Sequence, residues 1–400
     1  MNRKLPFVLL LVACVAVSAH AAGRYHARSL DKGKAILARL KAKHQTLAAW
    51  NELTAHTRKH ILKGAKLEQM PEKTPLNPIV HSERKFDGYT VSNVALETMP
   101  GFFSTGNLYV PTNAKKPYPI VLCPHGHFRD EEGNLNGRSR NSMQIRCAIL
   151  AKMGAVVFAI DQVGAGDSQQ TKHHDPLSLP LQIWNNIRTL DYLTTLKDVD
   201  TSRIGVTGAS GGGSQTMQMG AIDPRVSVVC PVVMMASNYD GGCVCESGLP
   251  IFNSEHHETN LTHMGAMAAP RPQLVISCGA DWTVHTPEIE YPYLKSVYGL
   301  FGAGDKVDNL HLQNEEHSYG PSKRKGMYPF FAKHLGLSMA PLIDRNNPNR
   351  IVEPGIILQT PEQLAVFNEE HPRPKHAVMG RDAVYALFDK MTGRDKAKDE

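Results

Sequence analysis

The sequence predicts an α/β fold with a mostly parallel sheet of about eight strands and helices on both faces. Short runs rich in Val and Ile alternate with helix-length segments from residue 120 onward, which is typical of a parallel sheet covered on both sides. Two earlier strand patterns have only Pro100-Gly101 between them, which indicates an antiparallel start. Hydrophobic residues are 42% and charged residues 20% of the 400, so a disordered chain or a coiled coil is excluded.

The first residues have the pattern of an export signal. Two basic residues precede an apolar run from Leu5 to Val17, and Ala-His-Ala at positions 19–21 is a small-residue cleavage pattern. The run is too short to span a membrane, and no later stretch is apolar enough to do so. We therefore predict a signal peptide over residues 1–21 and a periplasmic or secreted protein. A lipoprotein anchored at Cys14 is the alternative, because the residues before it fit a lipoprotein cleavage site.

The same patterns divide the chain after the signal peptide into three further segments. Apolar residues at mostly helical spacing predict a helical N-terminal extension over residues 22–80. The α/β domain covers 81–340 with an irregular insertion at about 236–270, and a C-terminal extension covers 341–400. The predicted strands are Tyr89–Glu97, Phe102–Val110, Ile120–Cys123, Ala155–Ile160, Arg203–Thr207, Val226–Met234, Gln273–Ser277 and Val307–Leu312. The predicted helices of the two later segments are Ser142–Lys152, Leu181–Leu196, Gly212–Ile222, Pro287–Leu300, Pro321–Leu335 and Arg381–Met391.

A G-x-S-x-G motif, Gly208 to Gly212, stands between a predicted strand and a predicted helix. In this setting the chain turns so tightly that only glycine fits at the outer positions, and the turn exposes Ser210 at the carboxyl edge of the sheet. The other interpretation, a phosphate-binding loop, lacks the lysine of a P-loop and any G-x-G-x-x-G in register. We therefore predict Ser210 as a nucleophile.

A serine nucleophile needs a base and an orienting acid, which in this fold class follow it in the order acid and then histidine. Asp281 lies just past the strand Gln273–Ser277, and His317 lies in the loop before the last helix of the domain. We predict Asp281 as the acid and His317 as the base. Glu246 in the insertion is the alternative acid, and the two rival bases are His285 and His311.

An oxyanion formed at Ser210 needs two backbone N–H donors. The sequence predicts one from Gly211, directly after the nucleophile, and one from His127 in the loop after the third strand. Trp282 and His127 are also the predicted substrate-binding residues, because both adjoin catalytic positions. The insertion is expected near the cleft, since the strands on either side of it end there.

No metal and no cofactor are predicted. The candidate ligands His125, His127, His173 and His174 occur without an H-E-x-x-H or an Asp-rich pattern. A Cys243-x-Cys245 metal site would need ligands that the sequence does not place, and in an exported protein these two cysteines are the better candidates for a disulfide. The other cysteines after the signal lie in apolar contexts typical of buried thiols. The net charge of +6, from 44 basic and 38 acidic residues, gives no reason to expect nucleic acid as a partner.

The chain resembles the α/β-hydrolase superfamily, and in particular bacterial exported hydrolases of the acetyl xylan esterase-like and dienelactone hydrolase-like type. The resemblance covers nearly the whole chain. The segments that carry it are Lys73–Pro78, Pro124–Phe128, Arg203–Gln215, Gly241–Glu246, Gly279–Thr283 and Glu316–Tyr319. It implies an α/β-hydrolase fold and a catalytic triad of Ser210, Asp281 and His317.

Together these observations predict an exported serine hydrolase that cleaves carboxylic esters, with acetyl or similar esters on carbohydrates as the expected substrates. The same residues cleave amides, so a prolyl-oligopeptidase-like peptidase is one alternative. A non-catalytic binding protein on a hydrolase scaffold is the other. The sequence predicts neither the oligomeric state nor the acyl group and alcohol of the substrate.

Overall fold

The computed structural model describes residues 27–129, 133 and 135–395, and a nine-stranded sheet lies at its centre. The predicted signal peptide and the alternative anchor at Cys14 lie outside the described residues. The strands in chain order are β1 (Ile79–Phe86), β2 (Tyr89–Met99), β3 (Phe102–Pro111), β4 (Tyr118–Pro124), β5 (Val156–Ile160), β6 (Val199–Ala209), β7 (Val228–Val232), β8 (Gln273–Cys278), β9 (Val307–Leu312), β10 (Ile343–Asp344) and β11 (Asn347–Ile351). The helices are α1 (Leu30–Lys43), α2 (Leu47–Gly64), α3 (Asn141–Lys152), α4 (Ser178–Leu193), α5 (Gly211–Ile222), α6 (Val244–Ser247), α7 (Leu261–Ala266), α8 (Tyr291–Leu300), α9 (Pro321–Leu335), α10 (Pro361–Leu364) and α11 (Arg381–Met391).

The sheet has the order β1-β2-β3-β5-β4-β6-β7-β8-β9. The three pairs at the β1 edge are antiparallel, and the five pairs from β5 to β9 are parallel. The predicted mostly parallel sheet with an antiparallel start is therefore confirmed, with one strand more than expected. The additional strand is β1, whose polar sequence and partly exposed edge position hide it from a search for apolar runs.

Helices cover both faces of the sheet, as predicted. One apolar cluster joins the sheet to α3 and α9. A second cluster joins the opposite face to α4, α5 and α8 and includes residues from both extensions. Strands β4 and β5 are buried along their whole length, which explains their continuous apolar sequence. Because the parallel strands all end at the same edge, the loops that follow them meet there.

The N-terminal extension forms two helices that pack against the insertion. The chain breaks between them at His44, and Thr46 caps the second helix by accepting a hydrogen bond from the Ala49 N–H. Arg28 forms an ion pair with Asp240 in the insertion. The insertion itself is held by α6, α7 and these contacts with the extension.

The C-terminal helix α11, predicted over the same residues, contributes to the core. Phe388 is 0% exposed and belongs to the larger apolar cluster. We expect Phe388→Ala to lower the free energy of unfolding by about 3–5 kcal/mol, because it leaves a cavity where the ring packs. Met379→Ala, at a 52% exposed side chain, is the control and should change it by less than about 0.5 kcal/mol. Denaturant unfolding of both variants measures the difference, and equal stabilities would contradict this packing role.

Candidate active site

Ser210 lies on a strained turn between the end of β6 and the start of α5. Its backbone has φ 57° and ψ −125°, a conformation that few residues other than glycine adopt. A Cβ atom at Gly208 would lie 2.6 Å from the carbonyl oxygen of Gly212, and one at Gly212 would lie 2.5 Å from the Pro124 carbonyl oxygen. The two outer glycines of the motif are therefore required by close backbone packing, as the sequence analysis expected.

His317 and Asp281 are in direct contact. His317 Nδ1 lies 2.6 Å from Asp281 Oδ2, and the Asp281 side chain is 2% exposed. The Thr283 N–H and hydroxyl both donate to Asp281 Oδ1. Burial alone would raise the pKa of Asp281, but the hydrogen bonds from His317 and Thr283 outweigh it and hold the pKa below its ordinary value. The carboxylate is thus ionised at neutral pH and fixes the orientation of the imidazole.

The alternative acid, Glu246, faces other partners. It is 3% exposed and accepts hydrogen bonds from the Ser214 hydroxyl and from the backbone N–H groups of Gly242 and Cys243. Burial raises its pKa. Since the Nδ1 atom of His317 is bonded to Asp281, the geometry favours Asp281 as the orienting acid.

The two rival bases have other surroundings. Both ring nitrogens of His311 have partners, namely the Ser277 hydroxyl and the Gln313 side-chain oxygen. His285 precedes the π-helical turn 286–290. Of the three candidates, only His317 lines a cavity together with Ser210.

That cavity is small and adjoins the predicted oxyanion loop. Its water-accessible volume is about 60 Å³, and its lining includes Ser210, His317, Gly126 and His127. A Cβ atom at Gly126 would lie 2.6 Å from the Ala209 carbonyl oxygen, so glycine lets this loop approach the nucleophile. The backbone N–H groups of His127 and Gly211 donate no hydrogen bond to any other part of the chain that the structure describes. They remain the predicted oxyanion donors.

Trp282 packs behind the base. The centres of the Trp282 and His317 rings are 4.5 Å apart, and the ring of Tyr239 from the insertion also contacts the indole, tilted by 35° at 4.4 Å. Trp282 does not line the cavity around Ser210. Within the insertion, Phe252 and Asn260 are almost fully buried. Trp282 thus contacts the His317 imidazole from outside that cavity, and its predicted part in substrate binding stays a prediction.

A buried cation that the sequence analysis did not single out lies in the cavity wall. Arg146 on α3 is 3% exposed, and its guanidinium lies 4.3 Å from the centre of the Tyr319 ring. Its Nε atom has no hydrogen-bond partner, whereas Nη2 donates to the Met143 sulfur and the guanidinium also interacts with the Cys123 thiol. Arg140, an exposed residue directly before α3, lines the same cavity. Arg146 stands in an apolar stretch of a predicted helix, and nothing in that pattern indicates that its side chain lines the cavity.

Four histidine and cysteine side chains meet behind the oxyanion loop. His127 and His173 lie beside Cys243 and Cys245, and their ligating atoms are all within 4.8 Å of one another. The six cysteines in the described chain are free thiols, so the structure does not contain the disulfide considered for Cys243 and Cys245. The hydrogen bond from the Cys245 thiol, together with those from the two imidazoles, lowers the pKa of Cys243 despite burial.

His125 does not join this group. Its Nδ1 donates to the Gly126 carbonyl oxygen and its Nε2 accepts from the Gln162 N–H, so both ring nitrogens are occupied. Burial lowers its pKa to about 3, which keeps the ring neutral.

Comparison with known proteins identifies the family. A family model described as the Abhydrolase family matches residues 30–234, more than half of the chain. The chain belongs to the Abhydrolase family. Its sheet order, strand-turn-helix nucleophile motif and histidine-aspartate pair agree with membership of the α/β-hydrolase superfamily.

Several solved structures resemble this Abhydrolase family member. The methylesterase BT1017 is 36% identical with a TM-score of 0.82, and the match covers 94% of this chain and 82% of that one. A glucuronoyl esterase from Solibacter usitatus is 20% identical with a TM-score of 0.51, and the match covers 70% of this chain and 91% of that one. The second comparison shows a shared fold only.

Curated relatives match over a shorter region. The 4-O-methyl-glucuronoyl methylesterase 1 of Wolfiporia cocos (strain MD-104) is 26% identical over an alignment of 184 residues, and the match covers 38% of this Abhydrolase family chain and 45% of that protein. The hydrolase YtaP of Bacillus subtilis (strain 168) is 27% identical over 131 residues, 30% of this chain and 44% of that protein. The match thus spans less than half the length of either relative. Across the described ranges, no helix is both long and apolar enough to cross a membrane.

Proposed function

We propose that this chain is a serine hydrolase that cleaves carboxylic esters on carbohydrates through an acyl-enzyme. The observation that carries the proposal is the 2.6 Å contact between His317 and Asp281, in a site where His317 shares a cavity with Ser210 on its strained turn. Similarity to BT1017, which is a methylesterase, supports ester chemistry. An export signal would place the enzyme outside the cytoplasm, where polysaccharides occur.

The proposed reaction has two halves, acylation of Ser210 and hydrolysis of the acyl-enzyme. The His317 Nε2 atom takes the proton of Ser210 as its oxygen attacks the ester carbonyl, and Asp281 stabilises the resulting imidazolium. The His127 and Gly211 N–H groups bind the oxyanion of the tetrahedral intermediate. His317 then protonates the leaving alcohol, and in the second half it deprotonates the water that releases the acid from Ser210.

The size and the charge of the cavity narrow the range of substrates that we expect. The restricted free space beside Ser210 suits a small group such as an acetyl or a methoxy group. Arg140, exposed at the mouth of the cavity, supplies a positive charge that can bind the carboxylate of a neighbouring unesterified uronate, whereas the buried Arg146 guanidinium contacts Met143 and the Tyr319 ring. Acidic sugars fit this lining better than neutral ones. Two of the similar proteins are methylesterases, and the name of one of them specifies a glucuronoyl group, so we favour methyl esters of uronic acids over acetyl esters.

The test compares kcat/KM for four substrate classes in one buffer: methyl-esterified uronate oligosaccharides, acetylated xylan, long-chain acyl esters and peptides. We expect the methyl-esterified uronates to be cleaved fastest. A clear preference for peptides would support the peptidase alternative, and a preference for long acyl chains would contradict the carbohydrate proposal. Absence of turnover together with no labelling by a fluorophosphonate would favour the binding-protein alternative.

Variants at the two ends of α3 test the charge argument. Arg140→Gln should lower kcat/KM for partly methyl-esterified uronate oligosaccharides on the order of tenfold or more, because a charge-assisted hydrogen bond to the carboxylate of a neighbouring unesterified uronate is lost. Its rate on the neutral ester p-nitrophenyl acetate should change far less. Lys152→Gln, at the other end of α3 and bonded to Asp87 away from the cavity, is the matched control and should behave as the unaltered enzyme. Equal losses on the acidic and neutral esters would contradict a carboxylate-binding role.

A further inference from the structure

The four side chains behind the oxyanion loop have the composition of a zinc site. His127 Nε2 lies 2.9 Å from His173 Nε2 and 3.1 Å from Cys245 Sγ, and the Cys243 Sγ atom completes a group whose members are all within 4.8 Å. Around a tetrahedral Zn²⁺ ion, nitrogen and sulfur ligands are separated by about 3.3–3.8 Å, given bond lengths of about 2.0–2.3 Å. The two shortest pairs would open by a few tenths of an ångström, and pairs near the 4.8 Å limit would close by about 1 Å, to bring the four atoms around one ion.

The surroundings already orient these ligands. His173 Nδ1 lies 2.7 Å from the Val163 carbonyl oxygen, to which it donates, so its Nε2 lone pair faces the other three side chains. His173, Cys243 and Cys245 are each less than 9% exposed. The Glu246 carboxylate accepts from the Cys243 N–H and so fixes the turn that carries both cysteines. Such outer contacts are typical of metal-binding histidines and cysteines in proteins.

We propose that His127, His173, Cys243 and Cys245 bind one Zn²⁺ ion as a closed structural site. Two thiolates and two neutral imidazoles match the preference of zinc, whereas magnesium and calcium prefer oxygen ligands. Binding releases the two thiol protons to solvent, and the resulting complex is neutral, which suits a buried position. Four protein ligands leave no position for water, so this ion is not a catalytic one.

The site would join three segments that are remote in sequence. His127 follows β4, His173 follows β5, and the two cysteines belong to the insertion that follows β7. A Cβ atom at Gly211 would lie 2.9 Å from the His127 ring, so the ring is fixed directly against the nucleophile helix. The ion would thereby hold the loop whose His127 N–H binds the oxyanion. This positioning role, unlike the metal site itself, rests on the proposed function.

Metal analysis of the intact purified protein tests the site. After exposure to Zn²⁺ and removal of free ion, we expect about one zinc per chain. Exchange for Co²⁺ should give the thiolate-to-cobalt charge-transfer and intense d–d bands of a tetrahedral site. Retention of far less than one ion, with Cys243 and Cys245 either freely alkylated or joined as a disulfide in the mass spectrum, would overturn the proposal. This measurement needs no variant and so does not depend on a substitution folding.

Matched variants test the ligand assignment. His173→Ala should lower zinc affinity at least tenfold, and Cys245→Ser should do the same, because each removes one of four ligands. Cys230→Ser, at a buried thiol in β7, is the control and should keep one zinc per chain. Equal zinc binding by Cys245→Ser and Cys230→Ser would overturn the ligand assignment.

Kinetics separates the positioning role from the metal site. The oxyanion forms only in the transition state, so His173→Ala should lower kcat while KM stays within about twofold. If His173→Ala loses zinc but keeps its kcat, the four residues still form a zinc site, but the proposal that this site positions the oxyanion loop is overturned.

Discussion

Ser210→Ala should lower kcat on the order of 10³-fold or more and abolish labelling by a fluorophosphonate, which reacts only with an activated serine. The reason is that the residues of such a triad act as a unit, so removing the nucleophile forfeits the contribution of the base and the acid as well. Activity against an ester substrate and labelling followed on a gel measure the two effects.

Ser214→Ala is the control for this variant. Ser214 lies one turn further along α5, and its hydroxyl bonds to Glu246 instead of lining the cavity. The Ser214→Ala protein should still be labelled by the fluorophosphonate at Ser210. A Ser210→Ala protein that keeps full activity, or that is still labelled at the same site, would remove Ser210 from the mechanism.

Asp281→Asn should lower kcat by on the order of 10²–10⁴-fold with the fold intact. The amide can no longer accept the hydrogen bond from His317 Nδ1 in the way the carboxylate does, so the imidazole loses both its tautomer control and the stabilisation of its charged form. Circular dichroism and thermal unfolding should show a folded protein, since the substitution keeps the shape of the side chain.

Glu246→Gln distinguishes the two candidate acids. Its carboxylate bonds to Ser214 and to the backbone of the cysteine turn, so this change should affect stability and metal content more than the chemical step. A large loss of kcat in Glu246→Gln combined with a mild loss in Asp281→Asn would reverse the assignment of the acid.

The parts of the site that depend on local geometry are those the sequence predicts well. The turn at Ser210 requires small neighbours, and two glycines at fixed spacing indicate it directly. The sheet is also predicted well, because buried strands of a parallel sheet need continuous apolar runs that are visible in the sequence. Where this rule does not apply, as in the polar edge strand β1, the prediction misses the element.

The helical N-terminal extension, whose division into two helices was not predicted, shows a different limit. The apolar spacing continues across two helices, but the chain turns at His44, where Thr46 starts a new helix. Helical periodicity does not report such a break when both helices bury the same kind of face against one core. The contacts with the insertion decide it.

The sequence by itself determined the fold class, the position of the serine on its strand-turn-helix motif, and the order in which an acid and a histidine follow it. The tertiary structure decided which carboxylate contacts His317, because Asp281 and Glu246 both follow strands that end at the same edge of the sheet. It also decided that Arg146 lies in the cavity wall and that His127 and His173 meet Cys243 and Cys245. Those contacts join loops separated by up to 118 residues between His127 and Cys245, and only the parallel packing of β4, β5 and β7 brings the loops together, since each of these strands ends at that edge.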